Sequence, residues 1–203
     1  MAYLKTLDIG YGYTADGGQT YPFRGQGVGL MPTLDEVFGA FPGRRFLINL
    51  KSDDLDEGER LIERLSRTSE TERALISLWV PGDRPYALLH EEFPAMSMGN
   101  PNAAFQCLKD YLLYGWTGVV PASCGPNDFA VPQNYAPYLW GYPDRLRARL
   151  NGAGVEVNLI QPYHGGIFDA AFDDPAAIGE IPYGYGIITN KIEVMGPAWT
   201  AAP

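Results

Sequence analysis

The sequence predicts an α/β fold, with parallel strands covered by helices and wound as a TIM-type (β/α) barrel holding about six of the eight units such a ring needs. Three observations predict it. Apolar runs of strand length alternate with segments of helical period from residue 33 to residue 189. No long run of either kind interrupts that alternation. The length of 203 residues falls about two β/α units short of the ~250 residues of a complete ring.

Residues 1–31 come first as a glycine-rich loop or small subdomain, with Asp8-Ile9-Gly10-Tyr11-Gly12-Tyr13-Thr14, Asp16-Gly17-Gly18 and Phe23-Arg24-Gly25-Gln26-Gly27. It follows neither period. Tyr11, Tyr13, Tyr21 and Phe23 supply burial that a solvated linker lacks, so an ordered excursion is expected. Residues 32–203 form the barrel portion. Thr33-Leu34-Asp35-Glu36 has the T-x-x-E form of a capping box, Leu34, Val37, Phe38 and Phe41 follow on one helical face, and Pro42-Gly43 stops the helix. Phe46-Leu47-Ile48-Asn49-Leu50-Lys51 reads as a buried strand. The next helix carries Leu55, Leu61, Ile62 and Leu65, with acids at its start and Arg60, Arg64 and Arg67 later, as the helix dipole favours.

The pattern then repeats. Residues 74–80 read as a strand, 84–92 as a helix, 96–98 as a brief strand, and 103–114 as a helix with Phe105, Leu108 and Leu112 on one face. A strand over 117–122, a proline-rich loop and a helix over 142–150 follow. A strand over 155–160, a short helix over 174–179 and a last strand over 185–189 complete the series.

Composition narrows the function. With 15 basic against 24 acidic residues the net charge is −9, and no Lys/Arg run occurs, which argues against nucleic acid or an anionic membrane as the partner. No apolar stretch approaches the ~20 residues of a membrane span. No signal-peptide pattern opens the sequence, and the compartment stays open because upstream residues are expected. Cys107 and Cys124 lack C-x-x-C spacing and read as two small buried apolar residues. There is no G-x-G-x-x-G, G-K-[ST], G-x-S-x-G or H-E-x-x-H. The acidic run from Asp53 to Glu57 reads as the first turn of a helix.

In such barrels reactive groups project from the C-terminal ends of strands. Period-2 alternation puts Leu47, Asn49 and Lys51 on one face, with Asn49 and Lys51 about 6–7 Å apart. An amide and an ammonium there suit an anionic, metal-bridged ligand; alternatively Lys51 is a solvated strand end and Asn49 a hydrogen-bonded core amide. Trp79 in Leu78-Trp79-Val80-Pro81-Gly82 walls a pocket or packs the barrel. His164 in Gln161-Pro162-Tyr163-His164-Gly165-Gly166 is a proton-transfer group, a metal ligand or a plain loop histidine. Thr189 and Asn190 bind an anion or cap a turn, and His90 reads as a surface residue on its helix.

The glycine-rich loop running into Met31-Pro32-Thr33-Leu34-Asp35-Glu36-Val37, the Asn49-Leu50-Lys51 strand end and Tyr185-Gly186-Ile187-Ile188-Thr189-Asn190-Lys191 together resemble glycerophosphodiester phosphodiesterases. The resemblance covers nearly the whole chain and keeps the family's order. It implies a phosphoric diester hydrolase that uses a divalent cation, Mg²⁺ or Ca²⁺, to clamp a small-molecule glycerophosphodiester and release an alcohol and glycerol 3-phosphate. Lys51 matches the lysine that stabilises phosphoryl charge, and Asn49 stands where the family has a glutamate metal ligand. Trp79, His164, Thr189 and Asn190 are the expected substrate-binding residues, although His164 has no counterpart among the catalytic histidines. The family's His-Arg-Gly, Glu-x-Asp and His-Asp segments have no match here, so the chain is expected to be the C-terminal portion of a barrel with little hydrolysis of its own. Two alternatives follow. One is a catalytically inactive fragment that binds a phospho-ligand or a partner, with self-association through open barrel edges near 46–50 and 185–189. The other is a carbohydrate-active barrel, for which no pair of strand-end carboxylates is found.

Overall fold

The computed structural model describes residues 2–125, 128–165 and 171–201, and these fall into two units, 1–44 and 45–203. The glycine-rich excursion and the first helix lie in one unit, with its boundary at residue 44.

In the first unit, Asp8 and Val28 form an isolated antiparallel bridge that closes the glycine-rich loop. Helix α1, Leu34–Ala40, starts where expected. The Glu36 N–H donates to Thr33 Oγ1 at 3.1 Å, and the Thr33 N–H donates back to the Glu36 carboxylate at 2.7 Å. Lys5 holds the other oxygen of Glu36 at 2.5 Å. This cap involves residues three apart, which is why sequence alone predicts it.

The second unit is built on two three-stranded parallel sheets. In one, β1 (Phe46–Asn49) pairs with β2 (Ile76–Trp79), which pairs with β3 (Met98–Gly99). In the other, β4 (Asp128–Pro132) pairs with β5 (Glu156–Ile160), which pairs with β6 (Gly186–Ile187). Helices α2 (Leu55–Ser66), α3 (Glu70–Arg73), α4 (Asp83–Glu92), α5 (Pro101–Tyr114), α6 (Asp144–Gly152) and α7 (Ile192–Ala201) connect or follow the strands. A parallel neighbour needs a crossover, and helices supply it.

Alternation sets the two faces of each sheet. Ile76, Leu78 and Met98 of the first sheet are buried, as are Phe129, Val131, Val157 and Leu159 of the second. The second set joins Tyr111, Leu146, Leu150, Phe172 and Met195 in one apolar cluster. The opposite face carries Leu47, Asn49 and Trp79 in the first sheet and Asn158 and Gly186 in the second. At the sheets' N-terminal ends, Arg45 donates to Glu156 at 2.6 Å. β3 and β4 bring Cα atoms within 8 Å of each other, although they belong to different sheets.

Three expectations need correction. The strand expected over 117–122 does not form. A 3₁₀ turn, Gly115–Thr117, extends α5, Gly118 then adopts φ +86°, and a second 3₁₀ turn covers Ala122–Cys124. A left-handed glycine reverses the chain where a strand must continue. The strand lies instead at β4, inside the segment expected to be loop, where Phe129 and Val131 alternate inward and Pro132 ends the ladder. Cys107 and Cys124 are not separate thiols: they form a disulfide that ties α5 to the Ala122–Cys124 turn, and both are buried. Helix α7 extends the series past the last expected strand and carries Pro197 inside it.

Candidate strand-end site

The site is built at the C-terminal end of the first sheet. Asn49 ends β1 and is the register partner of Trp79 at the end of β2. Parallel neighbours lie about 4.8 Å apart, so amide and indole stand side by side. The ladder continues one step further, with the Leu50 N–H donating to the Trp79 carbonyl at 3.0 Å. Leu50 is buried, and Lys51 follows two positions after Asn49, past the end of β1. Asn49 and Lys51 are exposed, and Trp79 is half-buried. Among the described residues Lys51 has neither a hydrogen bond nor an ion pair. Its charge is open to a ligand.

The loops around this end are fixed by side chains that the sequence did not single out. Asn100, which is 1 % exposed, donates from Nδ2 to the Val80 carbonyl at 2.9 Å, while its Oδ1 accepts from the Asn102 N–H at 2.8 Å and the Ala103 N–H at 3.3 Å. One amide thus caps α5 and holds the end of β2. Asp83 accepts from Asn102 Nδ2 at 2.9 Å and from Asn100 Nδ2 at 3.3 Å. Asp53 accepts from the Arg84 N–H at 3.1 Å, which links the loop after β1 to the start of α4. The signal for Asn100 was present as an Asn-Pro pair before a helix.

The second sheet treats its expected residues differently. His164 follows β5 on an exposed loop, and Gly166 of its motif lies outside the described residues. Asn134 holds that loop, donating to the Tyr163 carbonyl at 2.8 Å and accepting from the Tyr163 N–H at 2.9 Å. Among the described residues no hydrogen bond or ring contact joins His164 to Asn49, Lys51 or Trp79. Thr189 and Asn190 are occupied. The Thr189 hydroxyl donates to Asp173 at 2.9 Å and the Asn190 N–H donates to the same oxygen at 2.8 Å. Burial pushes the Asp173 carboxyl up, but these donors and the Lys191 charge together bring it below the ordinary carboxylate range. An anion here meets a carboxylate that already uses the nearest donors. His90 lies exposed on α4, stacked against Tyr86 at 5.7 Å between ring centroids.

The donor set does not fit a divalent cation. A hard cation takes six or more oxygens and wants carboxylates. Asn49 offers one neutral oxygen, and among the described residues no three His, Cys, Asp or Glu side chains are placed to hold a metal ion. No helix of the described residues is long and apolar enough to cross a membrane. No family model matches this chain, and neither a curated protein nor a solved structure matches it.

Proposed function

We propose that this chain is a glycerophosphodiester phosphodiesterase-type (β/α) barrel portion whose strand-end site takes the phosphodiester group of a glycerophosphodiester. The observation that carries this reading is Lys51, an exposed ammonium with no partner among the described residues, two positions from Asn49 on the face that Trp79 shares. An unpaired cation two residues beyond the Asn49 amide can hold a non-bridging oxygen of a diester, and it can stabilise charge that grows there during hydrolysis. Water attack at phosphorus then gives an alcohol and glycerol 3-phosphate.

Curvature supports the barrel part. Four strand spacings separate β1 from β5 if the sheets run on edge to edge, about 19 Å when flat. Arg45 and Glu156 cannot span that, so their ion pair favours a surface curled toward the Asn49 face.

A second reading, binding without turnover, is favoured by Asn49, a neutral amide where the family carries a glutamate metal ligand. One experiment separates the two. Glycerophosphocholine is incubated with the chain, with and without Mg²⁺ or Ca²⁺, and glycerol 3-phosphate is measured enzymatically. ³¹P line broadening of the intact diester reports binding in the same samples. Product release that falls at least tenfold in Lys51→Ala supports hydrolysis. Broadening without product, lost in Lys51→Ala, supports the binding reading. If neither product nor broadening responds to Lys51, the site assignment is wrong.

A further inference from the structure

We infer that Arg24, in the unit of residues 1–44, is a preorganised binding group for an oxyanion of the phosphate or carboxylate class. Asp8, Asp16 and Arg24 are the charged residues between positions 7 and 30. Both carboxylates are used inside the loop. Asp8 accepts the backbone N–H groups of Gly25 at 2.6 Å, Gly27 at 2.9 Å and Gly10 at 3.0 Å. Asp16 accepts the Thr20 hydroxyl at 2.7 Å, the Thr14 hydroxyl at 2.8 Å and the backbone N–H groups of Thr20 and Gln19.

Arg24 could have paired with either carboxylate. It does neither, and among the described residues it makes no ion pair. It is held by neutral groups instead. The ring of Tyr21 lies 3.8 Å from its Cζ and that of Tyr11 4.4 Å, while Nε donates to the Tyr11 carbonyl at 3.0 Å. The two ring contacts and the Nε bond together restrain the guanidinium. The two terminal nitrogens have no acceptor among the described residues, and the side chain is exposed.

A guanidinium meant only to knit the loop would form an ion pair with Asp8 or Asp16. Here the charge acts on Asp8 only from beyond ion-pair distance, its terminal nitrogens stay open, and the Nε bond with the two ring contacts restricts its rotamers. Those conditions favour a two-point contact with an oxyanion over a monatomic ion. The geometry does not depend on the strand-end site.

The test follows the Arg24 Nε–H and Gly25 N–H resonances of the ¹⁵N-labelled full chain. Sodium phosphate, sodium acetate and sodium chloride are added at matched ionic strength. Saturating shifts at these two positions are expected with phosphate or acetate, at a half-saturation at least tenfold below that for chloride. The order of phosphate and acetate tells which oxyanion the fork prefers. Arg24→Lys keeps the charge and loses the fork, so the saturation should vanish while the Thr20 amide still reports the folded loop. Superposed curves for the three salts in the parent chain overturn the inference, as does saturation that persists in a folded Arg24→Lys. Lys51→Ala should leave the Arg24 response unchanged, which keeps this result separate from the fate of the strand-end reading.

Discussion

Reducing the Cys107–Cys124 bond should destabilise the second unit by about 3 kcal/mol. The bond closes a segment with a sequence separation of 17, and chain-entropy reasoning gives about 3 kcal/mol at 25 °C for a loop of that size. For a chain of this length that is a melting-temperature drop of about 6–12 °C. Replacing both cysteines by alanine removes two buried sulfurs as well, which adds on the order of 1–2 kcal/mol. The assay is urea unfolding followed by tryptophan fluorescence, run on protein refolded with and without reductant and on the Cys107→Ala/Cys124→Ala chain. Iodoacetamide labelling after unfolding without reductant, read by mass spectrometry, fixes the redox state of each sample. The expected order is oxidised, then reduced, then doubly substituted. Two alkyl groups on protein unfolded without reductant would refute the pairing. Equal midpoints for oxidised and reduced protein would refute the entropic account.

Further outcomes follow from single sites. Gly186→Ala puts a methyl 1.9 Å from Asn158 Oδ1, so the amide must move and urea unfolding should show a loss of about 1–3 kcal/mol; an unchanged midpoint would mean that Asn158 does not lie over that position. Asn100→Ala removes the α5 cap and a bond to the Val80 carbonyl together, for a loss of about 2 kcal/mol or more, and Asn100→Asp should restore the cap alone. The Thr20 hydroxyl, the Thr20 N–H, Thr14 and the Gln19 N–H hold the Asp16 carboxyl well below the ordinary value of 3.8. Its stabilising effect on the loop is therefore complete above about pH 4–5 and is lost as pH falls below 3.8 through the folded value. The Thr20 amide shift should stay constant down to pH 3 and change only below it, whereas a midpoint near 4 would contradict the hydrogen-bond set. Asp16→Asn should abolish that acid transition.

The glycine-rich loop and the strand-end face were legible to different degrees. Asn49 and Lys51 were placed on one face by strand alternation, a rule of two residues, and the register adds Trp79 beside them. Thr189 and Asn190 looked equally available, yet Asp173 claims both across a separation of about sixteen residues. Nothing local to Gly-Ile-Ile-Thr-Asn announces that partner. The same holds for Arg24: its spacing from Tyr11 and Tyr21 is visible, but the choice of aromatic rings over the nearby carboxylates is a matter of how the loop closes.

What the sequence determined by itself is local. The Thr33–Glu36 capping box, the helical faces, the strand end at Ile160 and much of the order of strands and helices rest on interactions within a turn or two of chain, whose energies are written in neighbouring residues. The tertiary structure decided the rest. Residues 117–122 are apolar enough for a strand, but Gly118 and the bond to Cys107 bend them away, and Asp128–Pro132 takes the place beside β5 instead. A ladder bond joins residues far apart in the chain, so its free energy depends on which segment packs its inner side chains best at the open edge. Phe129 and Val131 fill the core next to Val157 and Leu159, and that packing outweighs any local preference for the loop that two flanking prolines seemed to mark.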